Sequence, residues 1–537
     1  MKVMLVAINA KYIHQNNAIR LLKANTTYPV ELKDFTIKDD YEKMLNEIKQ
    51  SDADLIGFST YIWNVRTIEK LVYDLKKDTK AKILLGGPEV SYDIDFFFNW
   101  PIDFLISGEG ELSFDLLLDS LINNKPLENV PSLSFRKDNK IITNFCALPD
   151  LKKLNLPYYF IEDKDSIQNK IAYIESSRGC PYKCSYCLSS LEKYVRFFPL
   201  EEVKKAILYL INQGVKTFKF LDRTFNADKK RAKEIFDFII DNYKENNSFQ
   251  FEITLDVFPK ELIIYLNENS PRHLFRFEVG IQSLNKTANL AIDRIQNNQT
   301  LLENIKLIKD ADIIDLHLDL IAGLPYDTKE SFKDTFNQVF NLKCKELQLG
   351  FLKMLRGTKI RNEKNKYDYI YDELPPYEIV SNMFITKDEL DEIRLVSRML
   401  EIFWNKGYMN ETISYIVDNI NPYDMFLSLS KYQKTISYHL IDLFINVQTF
   451  IKEEHSELLY NVENHLRLDY LKINKYKPKI WWKNNSNKND LLRTFSMINQ
   501  DFSLETLYRN GHVYEYFDQY IIVIYKNNKN YLYFMNK

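Results

Sequence analysis

ESSRGCPYKCSYC, residues Glu175–Cys187, places three of the chain's five cysteines within eight residues as C-x3-C-x2-C, while Cys146 and Cys344 stand far off. The stretch follows an apolar run, IAYIES (171–176), and precedes a helical pattern, so it reads as the loop that ends a strand. Three close thiolates suit a cubane iron–sulfur cluster, and without a fourth cysteine nearby one iron stays open to bind another group. Zinc or inert cysteines are the alternative. A zinc site asks for four nitrogen or sulfur ligands, and no histidine lies between His14 and His273.

Downstream of the triplet, TFKFLD (217–222), FQFEITL (249–255), LFRFEVGIQ (274–282), DLHLDLIAG (315–323) and ELQLGFLKML (346–355) are strand-like runs separated by helical stretches. With IAYIES they make six strands in βα order, a partial (β/α)6 barrel over 171–369. Upstream, KVMLVAI, DLIGFST, KILLGGPEV and DFLISGEGE alternate with amphipathic stretches, which predicts a Rossmann-like parallel sheet over 1–148, closed by a hairpin in SLSFRKDNKIITN. Pro149 and Pro157 break 149–170 into a linker. From 370 to 537 the pattern turns helical and aromatic, ending in a hairpin at QYIIVIYKNNKNYLYFMNK. The expected class is α/β throughout the first two regions. Eleven of the 13 glycines lie before residue 370, mostly at strand ends where backbone must come close to a ligand.

Over 537 residues, 45% apolar content and 27% charged residues describe a globular chain long enough for several domains. A formal charge of -2 carries no global basic excess that would advertise nucleic acid. The apolar start Val3–Ile8 is too short for a signal segment and no run approaches membrane-spanning length, so a cytoplasmic protein with no membrane partner is expected. Five cysteines in a chain this long are no disulfide framework.

The triplet, with Tyr186 just before its last cysteine, resembles the signature of radical S-adenosylmethionine (radical SAM) enzymes. The resemblance implies that Cys180, Cys184 and Cys187 hold a [4Fe–4S] cluster whose open iron chelates S-adenosylmethionine. An external one-electron reductant would charge the cluster, and cleavage would yield methionine and a 5′-deoxyadenosyl radical. FEVGIQSLN resembles the family's fourth-strand motif, placing Glu278, Gln282 and Ser283 near the cofactor. DLIAGLPYDTKE resembles the fifth-strand segment, with Asp319 and Gly323, and LQLGFLKMLRGTKI the sixth, with Leu355 near the adenine. The family's second-strand G-G-E is missing; KFLDRTFNAD stands there, with Asp222 or Arg223 as replacements. Asp222, Glu278 and Asp319 could equally cap the helices that follow their strands.

The first region resembles the cobalamin-binding domain that precedes the radical SAM domain in one branch of the family. Ser59 and Thr60 of GFSTY, and Gly86, Gly87 and Pro88 of LLGGPEV, would line the corrinoid cleft, and ISGEGE (106–111) matches another segment of that branch. The D-x-H-x-x-G that coordinates cobalt is absent, and His14 reads as a polar residue at a helix start. Residues 370–537 resemble the uncharacterised domain of some bacterial relatives. Within it, 470–500 sets six lysines and Arg493 against Asp490 around Tyr476, Trp481 and Trp482, a pattern open to single-stranded RNA or to a solvated face over an aromatic core. Two remaining cysteines cannot ligate a second cubane, which argues against methylthiotransferases. The resemblance implies a cobalamin-dependent C-methyltransferase; a radical SAM enzyme with a non-functional corrinoid fold, doing hydrogen abstraction or rearrangement without methylation, and a non-catalytic iron–sulfur protein are the alternatives. The substrate, whether peptide, tRNA base, lipid or small metabolite, is left open.

Overall fold

The computed structural model describes residues 1–160, 163–192, 194–484, 486–499 and 501–537. Residues 161 and 162 of the expected linker, and 485 and 500 of the basic stretch, lie outside the described residues. The chain forms two compact units, Met1–Thr328 with Gly350–Thr386, and Lys329–Leu349 with Lys387–Lys537.

The first unit opens with a seven-stranded sheet. Its strands are β1 (Val3–Asn9), β2 (Glu31–Thr36), β3 (Leu55–Ser59), β4 (Lys82–Gly86), β5 (Phe104–Ile106), β6 (Leu133–Lys137) and β7 (Lys140–Thr143). The order is β2-β1-β3-β4-β5-β6-β7, parallel through β5, with the expected hairpin β6–β7 running antiparallel. All of β1 is buried because both faces are covered. Met4, Val6 and Ile8 pack with helices Tyr41–Gln50 and Val65–Asp78 on one side; Val3, Leu5 and Ala7 pack with helices Asn17–Ala24 and Glu111–Asn123 on the other. Strand β2 and helix Tyr41–Gln50 were not among the expected elements. In β2 only Phe35 is buried, as an edge strand allows, so the run shows no apolar pattern.

The second sheet carries the remaining strands of this unit. These are β8 (Ile171–Ile174), the short antiparallel pair β9 (Ser177–Arg178) and β10 (Arg196–Phe197), then β11 (Thr217–Phe220), β12 (Ser248–Glu252), β13 (Phe275–Gln282) and β14 (Asp315–Ala322). Parallel neighbours run β8-β11-β12-β13-β14. The sixth expected strand, β15 (Glu346–Phe351), straddles the division between the units, and a small ladder of β16 (Ile370–Tyr371) and β17 (Ile379–Ser381) follows.

The second unit is mainly helical. Helix Lys329–Phe340 sets Phe336 and Phe340 against Tyr423, Phe426 and Trp404. It ends in an antiparallel meander, β18 (Gly511–Tyr516), β19 (Gln519–Lys526) and β20 (Lys529–Asn536), of which β19–β20 is the expected hairpin. Trp481 and Trp482 of the basic stretch pack edge-on with Tyr470, at 4.9 Å and 6.1 Å between ring centres. Among the described residues no helix is long and apolar enough to cross a membrane.

Candidate functional site

Alternation along β11, β12 and β13 divides the second sheet into two chemistries. Phe218, Phe220, Phe249, Phe251, Phe275 and Phe277 fill one face and are wholly buried, with Phe218 stacked on Phe249 and Phe220 on Phe251. The residues between them are polar and share the other face. Lys219 is registered beside Tyr173 and Gln250, Glu252 beside Glu278, and Glu278 beside His317. Lys219 Nζ donates to Glu278 Oε2 at 3.0 Å, and Gln250 Nε2 donates to the same oxygen at 2.6 Å. Burial would raise the Glu278 pKa, but the Lys219 ammonium, His317 and the Gln250 amide outweigh it and hold the carboxyl below its ordinary value. Arg223 NH1 pairs with Glu252 Oε1 at 3.2 Å. Arg276 donates to His317 Nδ1 at 2.7 Å, which leaves the Nε2 proton for Asp319 Oδ1 at 3.1 Å. Burial pushes the Asp319 carboxyl up.

At the C-terminal end of β13 the register slips between Gly280 and Gln282, and Gln282 takes φ +63°. Its side chain folds back over Gly280, where a Cβ would lie 2.2 Å from the amide nitrogen. Gln282 Oε1 is buried without a hydrogen-bond partner among the described residues. A buried, unsatisfied acceptor costs free energy unless a ligand donates to it. Ser283 beside it is fully buried and engaged, accepting from the Asn285 amide at 3.0 Å. Gly323, at the end of β14, holds φ +90° beneath Ile379, and its carbonyl accepts from Tyr369 and Asn382. Leu355 is half-buried in the turn after β15, its carbonyl accepting from Thr358.

The cysteine loop sits at the same rim. Gly179 holds φ +87°, and any Cβ there would meet the Tyr194 carbonyl at 2.3 Å, so the loop starts from a glycine-only conformation. Cys180 Sγ lies 3.4 Å from the Thr224 hydroxyl, Arg294 NH1 lies 3.9 Å from Cys184 Sγ, and the Cys187 amide donates to the Cys184 carbonyl at 3.0 Å. Burial raises the Cys184 thiol pKa, with the Arg294 charge opposing and the thiols of Cys187 and Cys180 adding to it, which places the three sulfurs in one another's field. Tyr186 is largely enclosed against Cys184 and Arg294, and burial raises its phenol. Among the described residues no three His, Cys, Asp or Glu side chains, these cysteines included, gather closely enough to hold a single ion. Three thiols on one loop do suit a cluster that takes one sulfur per iron. Asp222 is placed behind the loop: its carboxylate accepts from the Ser176 amide and from the hydroxyls of Ser176 and Ser177, at 2.9, 2.6 and 2.6 Å.

The rim of the first sheet gathers the other expected residues. Ser59 accepts from Asn16 at 3.1 Å and the Thr60 amide donates to the Gly86 carbonyl at 2.7 Å. Thr60 Oγ1 is buried and lacks a partner among the described residues. The two glycines differ. Gly87, at φ +113°, has no room for a Cβ, which would sit 2.5 Å from the Thr60 carbonyl; at Gly86 nothing lies closer than the Ile106 carbonyl at 3.8 Å. Pro88 is exposed beside them. Trp63, stacked on Tyr61 at 4.4 Å and 45% exposed, stands at the same end of the sheet. An open glycine, an exposed indole and, beneath them, a buried hydroxyl without a partner among the described residues are the features this rim offers a ligand. His14 is held by the second sheet: its Nδ1 meets the Tyr173 hydroxyl at 2.6 Å, and burial lowers its pKa.

Sequence reasoning missed Arg294, Thr224, Trp63 and the ion pairs that bind the two sheets, among them Arg356 Nε to Glu89 at 3.2 Å with Tyr377 closing on both. No spacing rule could have found pairs 267 residues apart.

Comparison with known proteins divides the chain in three. Residues 4–118 match the B12 binding domain, 174–339 the radical SAM superfamily and 365–520 a protein family of unknown function, DUF4080. An uncharacterised methyltransferase of Pyrococcus horikoshii is 25% identical over 58% of this chain and 70% of its own length. The cobalamin-dependent radical SAM methyltransferase TokK of Streptomyces tokunonensis is 25% identical over 64% of this chain and 53% of its own length, so the chain spans about half of that relative. Among solved structures, the cobalamin-dependent S-adenosylmethionine radical enzyme OxsB shares the fold with a TM-score of 0.62 at 15% identity, over 87% of this chain and 79% of that one. The radical S-adenosylmethionine methyltransferase TsrM of Kitasatospora setae does so at 0.61 and 13%, over 87% and 99%.

Proposed function

Because this chain belongs to the cobalamin-binding-domain-containing radical SAM enzymes, in the branch that carries a C-terminal domain of unknown function, we propose that it is a cobalamin-dependent radical SAM C-methyltransferase. The observation that carries the reading is the pairing of two rims: three cysteines at the end of one sheet, and an open cradle at the same end of a second sheet in one compact unit. When bound, the cluster and corrinoid supply one-electron cleavage of S-adenosylmethionine and a methyl carrier.

The chain's own residues would do the rest. Cys180, Cys184 and Cys187 would hold the cluster, with Thr224 and Arg294 donating toward their sulfurs. Gln282 Oε1, a buried acceptor at the end of β13 without a partner among the described residues, would receive a donor of S-adenosylmethionine. Glu278 and Ser283 from β13 and its end, Asp319 and Gly323 from β14 and its end, and Leu355 from the turn after β15 would supply the other contacts to S-adenosylmethionine. Asp222, being fully engaged, would act through Ser176 and Ser177 to fix where the cysteine loop begins. Ser59, Thr60, Gly86, Gly87 and Pro88 would cradle the corrinoid, and His14, tied to Tyr173, would not serve as its ligand.

The test is cofactor content after anaerobic purification from cobalamin-fed cells. The expected result is about four irons per chain, the content of one cubane, a base-off corrinoid spectrum near one per chain, and 5′-deoxyadenosine on reduction with S-adenosylmethionine. Gly86→Val should release the corrinoid and spare the iron, because the valine side chain enters the open cradle and not the protein core. Wild-type protein that takes iron but no corrinoid overturns methyl transfer and leaves hydrogen abstraction without methylation.

A further inference from the structure

Both stems of the cysteine loop end on one carboxylate. Strands β9 and β10 set Arg178 opposite Arg196, and residues 179–195 leave and return between them. Arg178 NH1 donates to Glu109 Oε2 at 2.6 Å, and Arg196 NH2 donates to Glu109 Oε1. Arg178 also donates through NH2 to Glu111 Oε1 at 2.6 Å, and through Nε and NH2 to the two oxygens of Glu175, each at 3.0 Å. The Arg178, Glu109 and Glu111 side chains are 8%, 11% and 5% exposed. Ion pairs on open surface contribute little, but in a buried network the loss of one member leaves its partners charged and unpaired.

Glu109 comes from the segment between β5 and helix Glu111–Asn123, and Glu111 opens that helix, at the rim of the first sheet, whereas Arg178 lies two residues before Cys180 in the second. The loop that bears the sulfurs is therefore closed at its base by the domain that offers the cradle. We propose that Glu109 is a positioning residue, a staple across both stems of the cysteine loop that fixes the sulfurs' distance from the cleft at the rim of the first sheet. This rests on the function proposed above. Both Glu109 oxygens are taken by Arg178 and Arg196, and it would act through them. Chemistry divided between two bound groups depends on their separation, and a shift near 1 Å can lower a rate about a hundredfold.

The experiment uses the full chain, anaerobically loaded with cluster and cobalamin, and reads the distance between the reduced cluster and cob(II)alamin by pulsed dipolar EPR alongside S-adenosylmethionine cleavage. Wild type should give one narrow distance. Glu109→Gln, which keeps the shape and removes the charge, should keep both cofactors, broaden the distance distribution, and lower kcat by about tenfold to a hundredfold with KM little changed. A narrow, unshifted distance and unchanged kcat in Glu109→Gln overturn the proposal. If that variant fails to fold, Arg196→Lys, which keeps the charge and loses the fork, decides: broadening supports the staple and an unchanged distribution overturns it. Wild-type protein without corrinoid defeats the functional reading alone. The staple is then read from the reduced cluster's EPR lines, which broaden in Glu109→Gln if it holds and stay unchanged if it does not.

Discussion

The first unit contains two parallel sheets built on opposite rules. In the first, β1 is buried along its whole length and neighbouring residues on opposite faces are equally apolar, as a parallel sheet covered on both sides requires. In the second, β12 reads Phe249, Gln250, Phe251, Glu252, and only the phenylalanine face is sealed. A parallel strand that alternates has kept one apolar cover and given up the other. The first sheet can therefore offer a ligand only its rim, while the second offers its rim and a whole polar face.

Changes at the second rim should have the largest effect. Cys184→Ala should abolish iron binding after anaerobic reconstitution, measured by iron analysis, while Cys344→Ala, buried under Trp404 in the other unit, should leave it intact. Iron loss in Cys344→Ala would break the ligand assignment. Next comes the contrast between faces. Phe251→Ala should cost about 3–5 kcal/mol by denaturant unfolding, and Met4→Ala and Leu5→Ala, on opposite faces of β1, about 2–5 kcal/mol each. Gln250→Ala should cost far less than its neighbour Phe251. Equal costs for residues 250 and 251 would erase the distinction between the two sheets.

Lys219→Met sharpens the comparison from the polar side. It leaves the Glu278 carboxylate facing Gln250 without its ammonium, at a cost on the order of 1–3 kcal/mol near neutral pH. The Glu278 pKa is held below its unfolded value, so the pair's contribution is present above the ordinary carboxylate range and disappears as pH falls through the folded pKa. The stability gap between wild type and Lys219→Met should therefore close in acid. A gap that widens below pH 4 contradicts the assignment. The smallest effect belongs to the first rim: Gly86→Ala should leave the melting temperature nearly unchanged, while Gly87→Ala, strained in φ and pressed on the Thr60 carbonyl, should lower it clearly.

The second sheet was legible because phenylalanine alternation, strand length and terminal glycines all recur at short range. The first sheet was legible except for β2, whose edge position leaves only Phe35 apolar. Strand β18, GHVYEY, escaped for a related reason: it buries Gly511, Val513 and Tyr514 in an irregular pattern that carries no period. At the site, short motifs pointed to the cysteines, Gln282 and the glycines, since each is a local demand on backbone or ligand. Asp222 shows the limit of that reasoning. Its place at a strand end suggested a cofactor contact, but its partners are Ser176 and Ser177, whose proximity follows from β8 pairing with β11. Arg178, Arg196, Arg294 and Arg356 were invisible for the same reason: a cation's partner is set by the fold, not by spacing.

The slip in β13 also bears on how this sequence can vary. The Gln282 amide occupies the volume that a side chain at 280 would need, so what position 280 accepts depends on where that amide lies. An alanine at 280 would push the amide out of place, and a residue shorter than glutamine at 282 would leave a void above the glycine. An alanine at 280 is therefore accommodated only when the Gln282 amide swings aside from where it now lies.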